Sequence, residues 1–136
     1  MKNKLLILLL MFLSFSCFDK EDAPTMLPEG TYTGIFMRSS PTADYTSANV
    51  TLTLEGNSFS GTSDTRKYPA IGKGTYKVEG DEITFDDQSF WTAEFDWSLI
   101  LDGTFSISTA NNQVILTKKR GDMIDVYRLT RQEEKL

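Results

Sequence analysis

The chain has 136 residues, of which 14 are Lys or Arg, 19 are Asp or Glu and none is His, so its net charge is −5 at pH 7. This acidic balance repels phosphate backbones, and the largest basic cluster is Lys118, Lys119 and Arg120, so we expect no nucleic-acid partner. Without histidine the chain lacks the commonest general base, a Ser-His-Asp or Cys-His triad and the usual zinc ligands. We therefore expect a non-catalytic protein with no cofactor and no metal.

The N-terminus has the pattern of a secretory signal. Lys2 and Lys4 precede an apolar run that ends at Phe15, too short for the roughly 20 residues of a membrane-spanning helix. The stretch LSFSC, which ends at Cys17, resembles the lipobox of bacterial lipoproteins, in which cleavage falls before a cysteine that then receives acyl chains. A lone thiol in an oxidising compartment is otherwise hard to explain, although a plain secreted protein with an incidental cysteine is the alternative. We expect a lipid anchor at Cys17.

The segment that follows Cys17 has the features of a flexible tether and of a sorting signal for the cell surface. Removal of residues 1–16 leaves 12 basic residues against 19 acidic ones, a net charge of −7. Residues 17–29 carry two prolines and little periodicity, which is typical of a flexible linker. The acidic FDKED stretch resembles the tag that routes lipoproteins to the outer face of the outer membrane in one large Gram-negative group; a plain solvated linker is the alternative. We expect a lipid-anchored outer-membrane protein that this tag directs to the cell surface.

Residues 30–131 have the pattern of an all-β domain, in which short runs rich in Thr, Val, Ile, Tyr and Phe alternate with turn signals. Five segments carry residues that tolerate the positive φ of tight hairpins: Glu55-Gly56-Asn57, Glu79-Gly80-Asp81, Asp102-Gly103, Asn111-Asn112 and Arg120-Gly121-Asp122. The predicted strands lie near 30–38, 48–55, 57–63, 70–79, 81–86, 90–101, 103–109, 112–119 and 122–130. Longer connections are expected at 39–47 and 64–69.

Alternation along these runs indicates which side chains face inward. Val50, Leu52 and Leu54 alternate with threonines, as in a sheet with one dry face. The same argument places Trp91, Ala93, Phe95, Trp97, Leu99 and Leu101 on the inner face of a strand over 90–101. Because closure removes unpaired edges, an antiparallel up-and-down meander of eight to nine strands with one apolar face favours a β-barrel.

Three stretches resemble the lipocalin-like small β-barrel domains of bacterial surface lipoproteins: GTYTGIF from Gly30, GKGTYKV from Gly72 and DVYRLTR from Asp125. The resemblance covers most of residues 29–131. It implies a calyx that holds a small apolar molecule, and it implies no catalytic residues. The expected organisation is a signal peptide over 1–16, the lipidated cysteine and its tether over 17–29, and a lipocalin-like barrel over 30–131.

Acidic residues are the remaining candidates for chemistry. Glu94 and Asp96 would lie about 6.6 Å apart along one strand face, within the range that glycosidases use, but alternation places both on the outer face. Asp96 and Arg38 are also candidates for an ion pair near a barrel end. Turn chemistry explains the other motifs, which are the calcium candidates Asp81, Asp86 and Asp87 and the adhesion tripeptide Arg120-Gly121-Asp122.

Inward aromatic side chains are the candidates for ligand contact, because rings bury a large area and Tyr and Trp keep a polar handle. The candidate set is Tyr32, Phe36, Tyr76, Trp91, Phe95, Trp97, Phe105 and Tyr127. An eight-stranded barrel is just wide enough to be filled by side chains or to hold one small ligand. Two functions therefore stay open. One is a carrier of a small apolar or amphipathic ligand at the cell envelope, and the other is a non-catalytic structural or protein-interaction module with a solid core and an envelope protein as partner.

Overall fold

The computed structural model describes residues 27–94 and 96–133, so Cys17, the signal segment, most of the tether and Phe95 lie outside the described residues. Within these ranges the chain forms eight β-strands and almost no helix. The strands are β1 (Gly30–Ser39), β2 (Ala48–Glu55), β3 (Ser58–Ser63), β4 (Lys73–Glu79), β5 (Glu82–Asp87), β6 (Gly103–Ala110), β7 (Gln113–Arg120) and β8 (Met123–Arg131).

The strands form a closed barrel in which each strand pairs antiparallel with the next along the chain. Closure comes from β1, which also pairs antiparallel with β8, so that Phe36 lies opposite Tyr127 and Arg38 lies opposite Asp125. The predicted all-β, up-and-down barrel is therefore confirmed.

Four of the five predicted hairpin turns are confirmed, and each contains a residue with positive φ. Gly56, Gly80 and Gly121 have φ near +60°, and Asn111 and Asn112 occupy the same left-handed region. Gly tolerates this conformation because it has no Cβ, and Asn because its short polar side chain can hydrogen-bond the nearby backbone.

The predicted strand over 90–101, and with it the hairpin at Asp102-Gly103, is wrong. Residues 88–102 form a long connection that contains a short 3₁₀-helix, Trp97–Leu99. Asp96 caps this helix, and Ile100 forms a parallel bridge with Ala70 in the connection between β3 and β4. Of the apolar residues predicted to face inward here, Leu101 is buried and Leu99 packs against the core, whereas Trp97 is exposed.

Inward alternation along the eight strands builds one apolar core. The predicted inner positions of β2, Val50, Leu52 and Leu54, are each buried. The core also contains Tyr32, Phe36, Phe59, Ile83, Phe85, Leu101, Phe105, Ile107, Leu116, Tyr127 and Leu129. Tyr76 and Val78 are partly buried and pack against it.

The connections divide the barrel into two ends. The tight turns at 56–57, 80–81 and 111–112 lie at one end, called here the turn end, where β1 begins and β8 finishes. The connections 40–47, 64–72 and 88–102 and the turn at 121–122 lie at the opposite end, called the loop end. No helix in the described ranges is long and apolar enough to span a membrane.

The incoming chain is held at the turn end. The Tyr32 hydroxyl donates a hydrogen bond to the Pro28 carbonyl at 2.5 Å, and Arg131 Nε donates to the Glu29 carbonyl at 2.8 Å. Leu27 packs against the core beside these groups. The tether therefore leaves the barrel at the end opposite the long connections.

Candidate functional site at the loop end

Aromatic rings cross the barrel interior in a continuous chain of contacts. Phe59 contacts Phe85 edge to face at a centroid distance of 5.0 Å, and Phe85 contacts Phe105 at 5.8 Å. Phe105 contacts Tyr127 at 5.8 Å, and Tyr127 contacts Phe36 at 4.8 Å. These spacings are those of favourable ring pairs, so the rings pack on one another across the interior.

Side chains also fill the turn end of the interior. Leu27, Tyr32, Leu52 and Leu129 are among the residues around the remaining gap, which has no room for a water molecule. The open grooves lie outside the barrel: one of about 560 Å³ follows the outer side of β1, β2 and β3, lined mainly by Thr, Ser and Asn side chains.

The predicted site residues separate into two groups. Tyr32, Phe36, Phe105 and Tyr127 are buried in the core, and Tyr76 packs against it. The two tryptophans do not face the interior, which corrects the prediction made from the 90–101 strand. Trp91 is partly buried, lines an outer groove beside Pro69 and donates its ring N–H to Asp87. Trp97 has 64% of its surface exposed.

Arg38 and Asp125 form a buried ion pair just below the loop end. Arg38 Nε lies 2.6 Å from Asp125 Oδ1, and Nη2 lies 2.8 Å from Oδ2, so the contact is bidentate. The Asp125 hydrogen bond raises the pKa of Arg38 and outweighs the opposing effect of burial. The predicted Arg38–Asp96 pair is present at 3.9 Å, but Asp125 is the closer partner.

Three cations of the barrel wall hold the 88–102 connection through its backbone. Arg38 Nη2 donates to the Ser98 carbonyl at 2.9 Å, and Arg120 Nη1 donates to the same oxygen at 2.7 Å. Lys118 Nζ donates to the Asp102 carbonyl at 2.7 Å and lies 5.2 Å from the Phe105 ring centroid. Burial lowers the pKa of Lys118, and the neighbouring Arg120 charge lowers it further. These bonds give the connection a fixed course.

Asp96 fixes the start of the 3₁₀-helix. Its Oδ1 accepts the Ser98 backbone N–H at 2.9 Å and the Ser98 hydroxyl at 2.6 Å. These bonds from Ser98, followed by the charges of Arg38 and Arg120, hold the pKa of Asp96 below its usual value. The carboxylate therefore stays ionised while 58% of its side-chain surface faces solvent.

The large apolar side chains that are exposed within the described ranges all lie at the loop end. Tyr45 is 43% exposed, Trp97 64% and Phe90 93%. The Tyr45 ring stacks on Tyr68 at 6.5 Å and lies 5.9 Å from the Arg38 guanidinium carbon. Tyr45 and Asp96 thus both lie beside the Arg38 guanidinium, which also binds Ser98.

The predicted carboxylate pair does not form. Glu94 and Asp96 lie in the 88–102 connection and not on a strand, and Glu94 pairs with Lys67 at 3.2 Å. Within the part of the chain that the structure describes, no group of three or more acidic or thiol side chains could hold a metal ion.

The sequence contained a signal for the buried ion pair. Arg38 follows the inward positions Tyr32 and Phe36 at even spacing, and Asp125 precedes the inward Tyr127 and Leu129 in the same way. Period-two alternation therefore places both charged side chains on the inner face of the barrel. Burial of a charge is costly unless an opposite charge pairs with it, so the two are expected to form an ion pair.

Comparisons with known proteins found no relative. No protein-family model, no curated protein and no solved structure matches the chain.

Proposed function

We propose that this chain is a non-catalytic, lipid-anchored module of the bacterial envelope, with a solid barrel core and a loop end that contacts another envelope component. The observation that supports this most strongly is the filled interior, in which Phe59, Phe85, Phe105, Tyr127 and Phe36 contact one another in sequence. A carrier needs open volume where these rings lie.

The direction of the tether supports the second part of the proposal. The chain enters at the turn end, where Pro28 and Glu29 are bonded to Tyr32 and Arg131. An anchor at Cys17 would therefore leave the connections of the loop end facing away from the membrane. These connections carry the exposed rings Tyr45, Phe90 and Trp97, and aromatic side chains are enriched at recognition surfaces.

Metabolic labelling with an alkyne-tagged fatty acid tests the anchor in a Gram-negative host. The native chain should incorporate the label, Cys17→Ala should not, and Thr25→Ala, in the tether behind the cysteine, should serve as the labelled control. Digestion of intact cells with a protease should then degrade the native protein if it reaches the cell surface. Labelling of Cys17→Ala at the native level would contradict the proposed anchor.

A small-ligand carrier is the second candidate, and one observation favours it. The Tyr68 hydroxyl is buried and makes no hydrogen bond of ordinary geometry with the described residues, although the Arg38 backbone and the charges of Arg38 and Asp125 all act on it. A buried hydroxyl of this kind costs about 1 to 3 kcal/mol unless a polar group satisfies it. Native mass spectrometry, which detects a bound small molecule by its added mass, separates the two candidates.

A further inference from the structure

Trp91 and Arg66 line one groove on the outer side of the loop end. The groove has a volume of about 250 Å³ and lies between the last residues of β3, the 64–72 connection and the Trp91 side chain. Pro69 and Ile71 add apolar surface to its lining, and Lys67 adds a second cation. The groove therefore combines a tryptophan, apolar side chains and positive charge within a small volume.

The Trp91 ring is held by a hydrogen bond of its own side chain. Its ring N–H donates to Asp87, the last residue of β5. The chain between these two residues is fastened to the start of β4, because the Gln88 N–H donates to the Lys73 carbonyl at 2.9 Å and the Ser89 hydroxyl accepts the Lys73 N–H at 2.8 Å. A ring held in this way loses little conformational entropy when a partner packs on it.

Two hydroxyl groups of the groove lining already donate their hydrogens within the chain. The Ser63 hydroxyl donates to the Tyr68 carbonyl at 2.8 Å, and the Thr65 hydroxyl donates to Asp64 at 3.1 Å. Because a hydroxyl has one hydrogen to donate, neither group can also donate to a bound partner. What the groove offers a partner is mainly apolar surface and positive charge.

Arg66 can meet an anionic group of a partner. The two acids that lie nearest along the chain or through Lys67 are already engaged, since Glu94 pairs with Lys67 at 3.2 Å and both Asp64 oxygens accept hydrogen bonds from Asn49. Arg66 is exposed, and its guanidinium forms no hydrogen bond or ion pair with residues 27–94 and 96–133. A guanidinium in this state can bind a carboxylate through two parallel hydrogen bonds.

We propose that the groove lined by Arg66, Pro69 and Trp91 binds an acidic peptide segment of a partner protein, one that carries an aromatic side chain beside a carboxylate. The aromatic side chain packs on Trp91 and Pro69, and the carboxylate pairs with Arg66. The volume of about 250 Å³ fits side chains of a larger partner, because sites for free small molecules usually measure about 300 to 1,000 Å³. This inference rests on the proposed loop-end contact and names the chemistry of its partner.

The test is surface plasmon resonance of the full chain in detergent over an immobilised random copolymer of glutamate and tyrosine. Polyglutamate is the comparator that has the charge without the ring, and polygalacturonate is the acidic polysaccharide comparator. The copolymer should bind most tightly. Arg66→Ala should lower its affinity by about tenfold, which corresponds to the loss of one charge-assisted contact. Trp91→Ala should reduce the affinity for the copolymer to that for polyglutamate, because the contact between rings is lost.

Arg128→Ala is the matched control, since Arg128 is an exposed arginine on β8 that does not line the groove. It should leave binding of the copolymer unchanged, and urea denaturation should show that both arginine variants remain folded. These two variants decide the outcome even if Trp91→Ala unfolds the chain. No binding of the copolymer, tighter binding of polygalacturonate, or equal losses in Arg66→Ala and Arg128→Ala would overturn the proposal. Fatty-acid labelling at Cys17 is a separate readout, so failure here leaves the anchor untouched.

Discussion

Arg38 and Asp125 are partners across the β1–β8 pairing that closes the barrel, and their side chains meet inside it in a bidentate contact of 2.6 and 2.8 Å. The pair lies between the apolar core and the 88–102 connection. The Arg38 guanidinium thus joins β1 to β8 through Asp125 and also donates a hydrogen bond to the Ser98 carbonyl. One buried charge therefore couples barrel closure to the position of the loop end.

The first prediction concerns this pair. Asp125→Ala should lower the free energy of unfolding by about 3 to 5 kcal/mol, because it leaves a buried guanidinium without its counter-charge. Glu79→Ala, which breaks the exposed pair between Lys77 and Glu79, should leave it nearly unchanged, because solvent screens that pair. Urea denaturation of both variants measures the difference. Similar urea midpoints for the two variants would contradict a buried ion pair between Arg38 and Asp125.

The second prediction concerns the aromatic core. Phe105 contacts both Phe85 and Tyr127, so Phe105→Ala should cost about 3 to 5 kcal/mol by removing a buried ring and leaving a cavity. Phe90→Ala removes a phenyl ring that is exposed to solvent, so its free energy of unfolding should stay within about 0.5 kcal/mol of that of the native chain. Thermal or urea unfolding checks this, and a tolerated Phe105→Ala would mean that the interior is not tightly packed.

The third prediction tests closure of the barrel. A Cβ at Gly34 would lie 1.8 Å from the Arg128 carbonyl oxygen on β8, so Gly34→Ala must push β1 and β8 apart. Gly56 has φ of +59° and nothing within 4 Å of its Cβ position, so Gly56→Ala should cost only about 1 to 2 kcal/mol of backbone strain. Amide hydrogen exchange should show lower protection of the backbone hydrogen bonds between β1 and β8 in Gly34→Ala but not in Gly56→Ala. Unchanged protection there would argue against the pairing.

The fourth prediction concerns alkaline pH. Burial raises the pKa of Tyr32, Tyr68, Tyr76 and Tyr127 above the usual value of 10.0. A tyrosine whose pKa is higher in the folded chain contributes stability that is complete below its unfolded pKa and declines as pH rises above it. The contribution of these tyrosines to the free energy of unfolding should therefore be constant below about pH 10 and fall beyond it.

Phenolate absorbance and circular dichroism, recorded together through the alkaline range, check the tyrosine prediction. Ionisation of the buried tyrosines should coincide with loss of β structure. Ionisation of all tyrosines at their ordinary pKa with the barrel intact would show that these hydroxyls reach solvent.

The barrel itself was predictable because its signals are local. Turn residues such as Gly56 and Asn111 tolerate left-handed backbone wherever they occur, and Val50, Leu52 and Leu54 show their period within one strand. Each signal can be read within a few residues, and a meander needs only neighbouring strands to pair.

The 88–102 connection could not be predicted in the same way. The alternation around Trp97 is that of a strand, but the groups that bind the adjacent Ser98 carbonyl lie far along the chain: Arg38 is 60 residues away and Arg120 is 22. Only the folded barrel brings these guanidiniums to one oxygen. The local pattern therefore placed Trp97 inside, whereas tertiary contacts place it in solvent.

The most direct test of a solid-core module is native mass spectrometry of the chain from residue 22 onward, which contains every strand of the closed barrel, after exposure to an envelope extract. The account predicts the mass of the protein alone, because the rings from Phe59 to Phe36 occupy the interior. A stoichiometric bound species of small defined mass, lost in Tyr68→Phe, would contradict the account and establish a carrier.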